Sequence, residues 1–340
     1  MSRGAFRFAV IANKLGFQTS SEKHPLSTIA TSNTPPAAGA QRTYCSQLAR
    51  ETAAPLYGTA IQVDVWLLVE YSRPWKSKAL LDNELPENLV THLDQLPAQL
   101  LEQTGQKLRV QFVKQAATAD RVHPVVMIVA GGQVWQRQLD DWRELIDVQV
   151  AALADPAAAG FEGVEGGAIL VCTNGQRDVC CARFGLPVYE ALRAEFGQRV
   201  WQTTHVGGHR YAPNVVYLPG DWFLGFVHAD LSVDLVNRLD QGVLDLHHIR
   251  GRAGLSPLEQ AAEHFARGCL HAVRVDQLQW EDTQWLAEDR LLARFHVSAT
   301  DTQIELEVTQ SLGPAATASC DGPPKPQKAF HLVRLEQVSI

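Results

Sequence analysis

One order of secondary-structure elements occurs twice along this 340-residue chain, and it restricts the fold more than any other feature. In the first half, residues 63–71 (VDVWLLVEY) are β-branched and aromatic, as a strand requires. Residues 88–105 place Leu89, Leu93, Leu96, Leu100 and Leu101 at helical spacing, with Pro97 as a point of kinking and Gly105 as the stop. Strands at 107–114, 123–130 and 134–139 follow, the last two separated by Gly131-Gly132, and a helix over 140–155 closes the half. In the second half, 166–172 (GGAILVC) is a strand and 186–197 (LPVYEALRAEFG) a helix. Residues 200–206 form a strand that delivers His205. A hairpin over 214–227 turns around Pro219-Gly220-Asp221, and a helix covers 233–242. Both halves read strand, helix, three strands, helix.

A β-α-β unit followed by a β-hairpin and a helix is the thioredoxin-like arrangement. The expected fold is therefore α/β, with two tandem thioredoxin-like units and a small C-terminal α+β extension. The boundaries read as an N-terminal extension over 1–43, units over 44–160 and 161–250, and the extension over 251–340. Within the extension, 256–273 is a helix, 291–299, 303–310 and 329–340 are strands, and the Pro-rich 319–328 (SCDGPPKPQK) is exposed loop. Residues 1–43 are rich in Ser, Thr, Ala and Pro, with Glu22 as the one acidic residue. That composition fits a disordered tail or a targeting peptide.

Composition removes several function classes. The net charge of −7 offers no basic face for nucleic acid. The longest apolar runs have strand length and fall short of the ~18–20 residues of a membrane span. No GxGxxG follows a strand, so no dinucleotide site is expected. The six cysteines are too few and scattered for a disulfide framework. Three of them lie at 172, 180 and 181, which points to a metal or redox site in a reducing compartment, taken as the cytoplasm.

Chemistry concentrates in two half-sites, Cys172 to Cys181 in VCTNGQRDVCCARFG and His205 to His209 in TTHVGGHRYAPN. The cysteines follow a strand into a polar loop, which is no packing environment for an inert thiol. Gly207 and Gly208 let the segment curl so that both imidazoles face one point. Arg177 and Arg210 are the expected supporting donors, and Asp178 is expected to brace Arg177 or cap the next helix. The other histidines, His247-His248 included, have no matching partners. Two thiolates and two imidazoles suit zinc or a 2Fe–2S cluster. The eight-residue gap between Cys172 and Cys181 is wide for a structural zinc site and suits a larger object. Rieske centres show such mixed ligation, but with each Cys close to a His, an order absent here.

The run CTNGQRDVCCARFG…HVGGHRYAPNVVYLP resembles the sucrase/ferredoxin-like family of thioredoxin-like 2Fe–2S proteins, as do the GTA…WLLVE…PW opening and the SCDGPPKP segment. The resemblance implies a 2Fe–2S cluster held by Cys172, Cys181, His205 and His209. Asn174 departs from the family's usual His at that position, and Cys180 leaves open which neighbouring thiol is the ligand. It also implies an electron carrier rather than a catalyst, serving a redox partner protein of unknown identity. By Rieske analogy the potential lies above the ~−400 mV of plant-type clusters, and imidazole protons couple it to pH. A zinc-braced binding module and a thiol-dependent redox enzyme are the alternatives, the second weakened by the absence of C-x-x-C.

Overall fold

The computed structural model describes residues 44–115, 123–320 and 322–338. The expectations for residues 1–43 lie outside the described residues. The protein is mixed α/β, with one large sheet and a second, smaller one.

After a short helix α1 (Cys45–Glu51), the first half runs β1 (Val65–Glu70), α2 (Glu87–Thr104), β2 (Leu108–Lys114), β3 (Val125–Ala130) and β4 (Gln133–Gln138). A 3-10 turn (Trp142–Asp147), α3 (Val150–Ala154) and β5 (Glu162–Gly163) complete it. The second half runs β6 (Ala168–Cys172), α4 (Val179–Phe196), β7 (Val200–Thr203), β8 (Val215–Leu218), β9 (Trp222–Leu224), α5 (Ala229–Asp240) and β10 (Ile249–Arg252). In each half the first strand pairs in parallel with the second and antiparallel with the third, which pairs with the fourth. A short antiparallel contact, Val113 with Thr203 and Lys114 with Gln202, joins them into one ten-stranded sheet.

Alternation along the central strands explains the layering. Val65, Leu67 and Val69 of β1 face the leucines of α2, while Trp66 and Leu68 face the other way. Ile169 and Val171 of β6 face α4 and α5, while Ala168, Leu170 and Cys172 face the same inner core as Trp66. The sheet curls so that these inner faces meet. Trp66 stacks on Phe223 at 5.9 Å and its Nε1 donates to Asp221 at 3.1 Å. Strands covered on both faces read as near-continuous apolar runs, as β1 does.

The C-terminal region is α6 (Pro257–Leu270) packed on a four-stranded antiparallel sheet of β11 (Leu278–Ala287), β12 (Arg290–Val297), β13 (Thr302–Thr317) and β14 (Pro324–Val338). The last two strands form a long hairpin.

Several local expectations change. Pro97 lies inside an unbroken α2. The helix expected over 140–155 is broken at Val148-Gln149 into a 3-10 turn and α3. The helix expected from Leu186 begins at Val179, because Asp178 caps it, and runs through Pro187. Residues 324–328, expected as loop, are the start of β14, where Pro324 and Pro326 pair at the hairpin's end. Strands β5, β10 and β11 had no expectation.

Candidate metal centre

The site lies where β6 ends. Cys172 closes that strand, and its amide donates to Asn214 O at 3.1 Å. Helix α4 packs directly over the strand end. A Cβ on Gly185 would come within 2.3 Å of the Cys172 carbonyl oxygen, so only glycine permits this approach. Cys180 and Cys181 therefore stand in the first turn of α4, not in a loop. Asp178 accepts the Cys180 amide at 2.9 Å as the helix cap.

Adjacent positions on a helix point about 100° apart, and the two cysteines diverge accordingly. Cys181 faces Cys172 and His205. Its Sγ lies 3.7 Å from His205 Nδ1, and Cys172 Sγ lies 3.9 Å from the same nitrogen. The ligand atoms of Cys172, Cys181 and His205 all fall within 4.8 Å of one another. Cys180 turns to Cys45, at 3.5 Å, and Cys320, at 3.2 Å.

His209 stands beside His205, with its Nδ1 3.3 Å from His205 Nε2 and the ring centroids 5.0 Å apart. Its Nε2 approaches Asp178 Oδ2 at 3.9 Å. The two thiols are fully buried, and the two imidazoles are half-buried on the outer side.

The histidine segment is held by groups from both halves. Arg109 of β2 donates to His205 O at 2.9 Å, and Gln111 donates to Thr204 Oγ1 at 2.6 Å. Arg250 of β10, fully buried, donates to Gly207 O at 3.1 Å, to Asn214 Oδ1 at 2.8 Å and to Thr59. Asn214 in turn donates to Gly208 O at 3.0 Å. Gly208 has φ of 70°, and a Cβ there would meet the Arg250 guanidinium. The sequence singled out Arg177 and Arg210 for support. Arg177 is exposed, and Arg210 bonds the Tyr211 hydroxyl. The Arg177 charge acts on His209, while Arg109 and Arg250 brace the backbone of the histidine segment. Their distance in sequence hid them, although a charged residue inside the apolar β2 pattern was a readable signal.

The electrostatics favour an anionic site. The hydrogen bond from Cys181 holds the Cys172 thiol well below its ordinary range, with His205 adding to the effect. Cys181 is pushed up by Cys172 and by burial, so the pair shares its proton unequally. Burial pushes His209 below the ordinary imidazole range, favouring the neutral ligand form. Burial lowers Arg250 to about 10, which leaves it charged at neutral pH. The donor set fits a thiolate-binding metal or a small iron–sulfur cluster in its chemistry.

Comparison with known proteins identifies a family. Residues 56–251 match the family model described as Sucrase/ferredoxin-like. A relative from Meyerozyma guilliermondii, named "Altered inheritance of mitochondria protein 32", is 35% identical over 98 residues, which cover 24% of this chain and 33% of the relative. A protein of the same name from Debaryomyces hansenii is 38% identical over 58 residues, covering 16% of this chain and 21% of that protein. The chain thus spans a third or less of the curated relatives it matches. No solved structure matches it.

Proposed function

The chain belongs to the sucrase/ferredoxin-like family, and from that premise we propose that it is an electron carrier whose 2Fe–2S cluster is held by Cys172, Cys181, His205 and His209. The observation that carries this reading is the convergence of two buried thiols and His205 within 4.8 Å, with His209 adjoining. The repeated strand order of the two halves supports the thioredoxin-like reading of each.

The bound cluster would supply one-electron chemistry. The chain's own residues set its surroundings. Cys172 and Cys181 sit in an apolar inner core that excludes water. Arg109 and Arg250 hold the backbone that carries the imidazoles and place two positive charges near the thiolates. His205 and His209, less buried than the thiols, form the face over which a redox partner protein would approach. The first half, which lacks such ligands, braces the site through Arg109 and Gln111.

A mononuclear zinc site is the second reading. It is favoured by one observation, that Cys172, Cys181 and His205 form the tight group and His209 stands behind it. Metal content decides between them. About two irons with matching labile sulfide per chain support the carrier, and stoichiometric zinc in a colourless protein lost on Cys172→Ser supports the brace. We place the protein in the cytoplasm, and no helix among the described residues is long and apolar enough to cross a membrane. A tagged full-length chain that fractionates with mitochondria would overturn that placement.

A further inference from the structure

We propose that Cys45, Cys180, Cys320 and Asp178 form a second, separate metal site that takes a single zinc ion and fastens the long C-terminal hairpin to the α4 side of the candidate centre.

The four residues come from three distant parts of the chain, with Asp178 and Cys180 together at the start of α4. Cys45 opens α1, Cys180 lies in the first turn of α4, and Cys320 sits at the turn between β13 and β14. Sequence separations are 135 residues between Cys45 and Cys180 and 140 between Cys180 and Cys320. Cys45 and Cys320 both fall outside the residues matched to the family. Local chain geometry therefore cannot account for their meeting.

The spacing is that of a tetrahedron. Zinc–sulfur bonds of about 2.3 Å and zinc–oxygen bonds of about 2.0 Å put tetrahedral ligands about 3.7 Å (S to S) and about 3.5 Å (S to O) apart. The sulfur separations here are 3.5 Å for Cys45 to Cys180, 3.2 Å for Cys180 to Cys320 and 3.7 Å for Cys320 to Cys45. Asp178 Oδ1 lies 3.4 Å from Cys320 Sγ and 4.0 Å from Cys45 Sγ. All four ligand atoms fall within 4.8 Å of one another.

The chemistry of the group selects zinc. Three sulfurs exclude magnesium and calcium, which take oxygen. The sulfurs are nearly equidistant, whereas a disulfide would single out one pair at about 2.05 Å. Cys45 and Cys180 are buried beside Ala212 and Phe184, and the Cys45 thiol also faces the Asp178 carboxylate at 4.0 Å, a neighbour that apolar packing alone does not supply. Asp178 is itself oriented by the amides of Cys180, at 2.9 Å, and Cys320, at 3.0 Å, which leaves lone pairs on both oxygens. The start of an 18-residue helix and the Arg50 guanidinium, which donates to Ala212 O at 3.3 Å, offset negative charge at this edge.

The site also explains the hairpin. From Ser311 to the turn, β13 is exposed or half-buried, and Leu312 is 79% exposed. No residue of that stretch joins the apolar core between α6 and the second sheet. An ion at Cys320 would anchor its end.

The test is zinc and iron content of the full-length chain purified under reductant and reconstituted with Zn²⁺ alone. Wild type is expected to hold about one zinc that Cys320→Ser and Cys45→Ser each reduce at least tenfold, with iron content unchanged. Cys269→Ser, remote on α6, is expected to keep the zinc. Should Cys320→Ser fail to fold, Co²⁺ substitution in wild type reads the same site, through thiolate charge-transfer bands of a tetrahedral sulfur-rich ion. Zinc retained in both variants, or wild type that takes up no Zn²⁺ or Co²⁺, overturns the proposal. Iron is counted independently, so zinc lost in both variants from an iron-free protein would overturn the electron-carrier reading alone.

Discussion

The Asp178 carboxylate stands 3.9 Å from His209 Nε2 and 3.4 Å from Cys320 Sγ. One buried acidic group thus lies between the His209 imidazole and the Cys320 thiol and caps the helix that carries Cys180 and Cys181. A negative charge beside a ligand favours the oxidised centre. Asp178→Asn keeps a capping side chain, removes that charge and takes one ligand from the zinc site proposed above. The reduction potential is expected to rise by an amount on the order of 59 mV, the equivalent of a tenfold change for one electron. Protein-film voltammetry checks this, and an unchanged potential would show that Asp178 does not act on the centre.

Replacing His209 by Cys exchanges a neutral imidazole for a thiolate. The variant is expected to stay coloured, to shift its visible spectrum and to have a lower potential. In wild type the potential is expected to fall as pH rises from about 6 to about 10, because imidazole protons leave on oxidation. The variant should show a shallower slope. A wild-type potential that is flat over that range contradicts imidazole ligation.

Arg250 is fully buried and spends its donors on Thr59, Gly207 and Asn214. Arg250→Leu leaves those acceptors unpaired, at about 1–3 kcal/mol each. A loss of at least about 3 kcal/mol in urea unfolding is expected, together with loss of bound metal as the histidine segment loosens. Arg250→Lys, which lacks the planar fork, should fall between. A full metal load in the Leu variant would show that the brace is dispensable.

Asp221 gives a pH dependence away from the metal centre. Burial raises its carboxyl to about 6, against the Trp66 hydrogen bond and Arg252, which act to lower it. Between about pH 4 and 6 the folded chain holds a proton that the unfolded chain has released. Stability from this group is therefore present at low pH and lost as pH rises through 6. Asp221→Asn removes the effect and tolerates the residue's φ of 55°. The variant's stability relative to wild type is expected to grow by an amount on the order of 2 kcal/mol between pH 4 and 7. A constant difference across urea titrations at those pH values would refute the assignment.

The strand order was legible because β1 and β6 carry apolar residues on both faces, and the leucine spacing of α2 survives Pro97. The start of α4 was misplaced because Leu186-Pro187 resembles a helix opening, whereas the Asp178 cap acts eight residues earlier. That error mattered at the site. With Cys180 and Cys181 in a loop, nothing distinguished them, while in a helical first turn they must face different directions. The meeting of Cys45 and Cys320 with Cys180 depends on the register of β13 with β14 and on the docking of α1. No local pattern encodes either. The supporting arginines were missed for the same reason, since Arg109 and Arg250 approach His205 and Gly207 from other strands.

The most direct test of the central claim is iron and labile sulfide per chain, measured with the visible spectrum before and after dithionite, in wild type and Cys172→Ser. The account predicts a red-brown wild type with about two irons and two sulfides that bleaches on reduction, and a Cys172→Ser variant that has lost both. A colourless wild type without iron, or a Cys172→Ser variant with an unaltered iron spectrum, would contradict it.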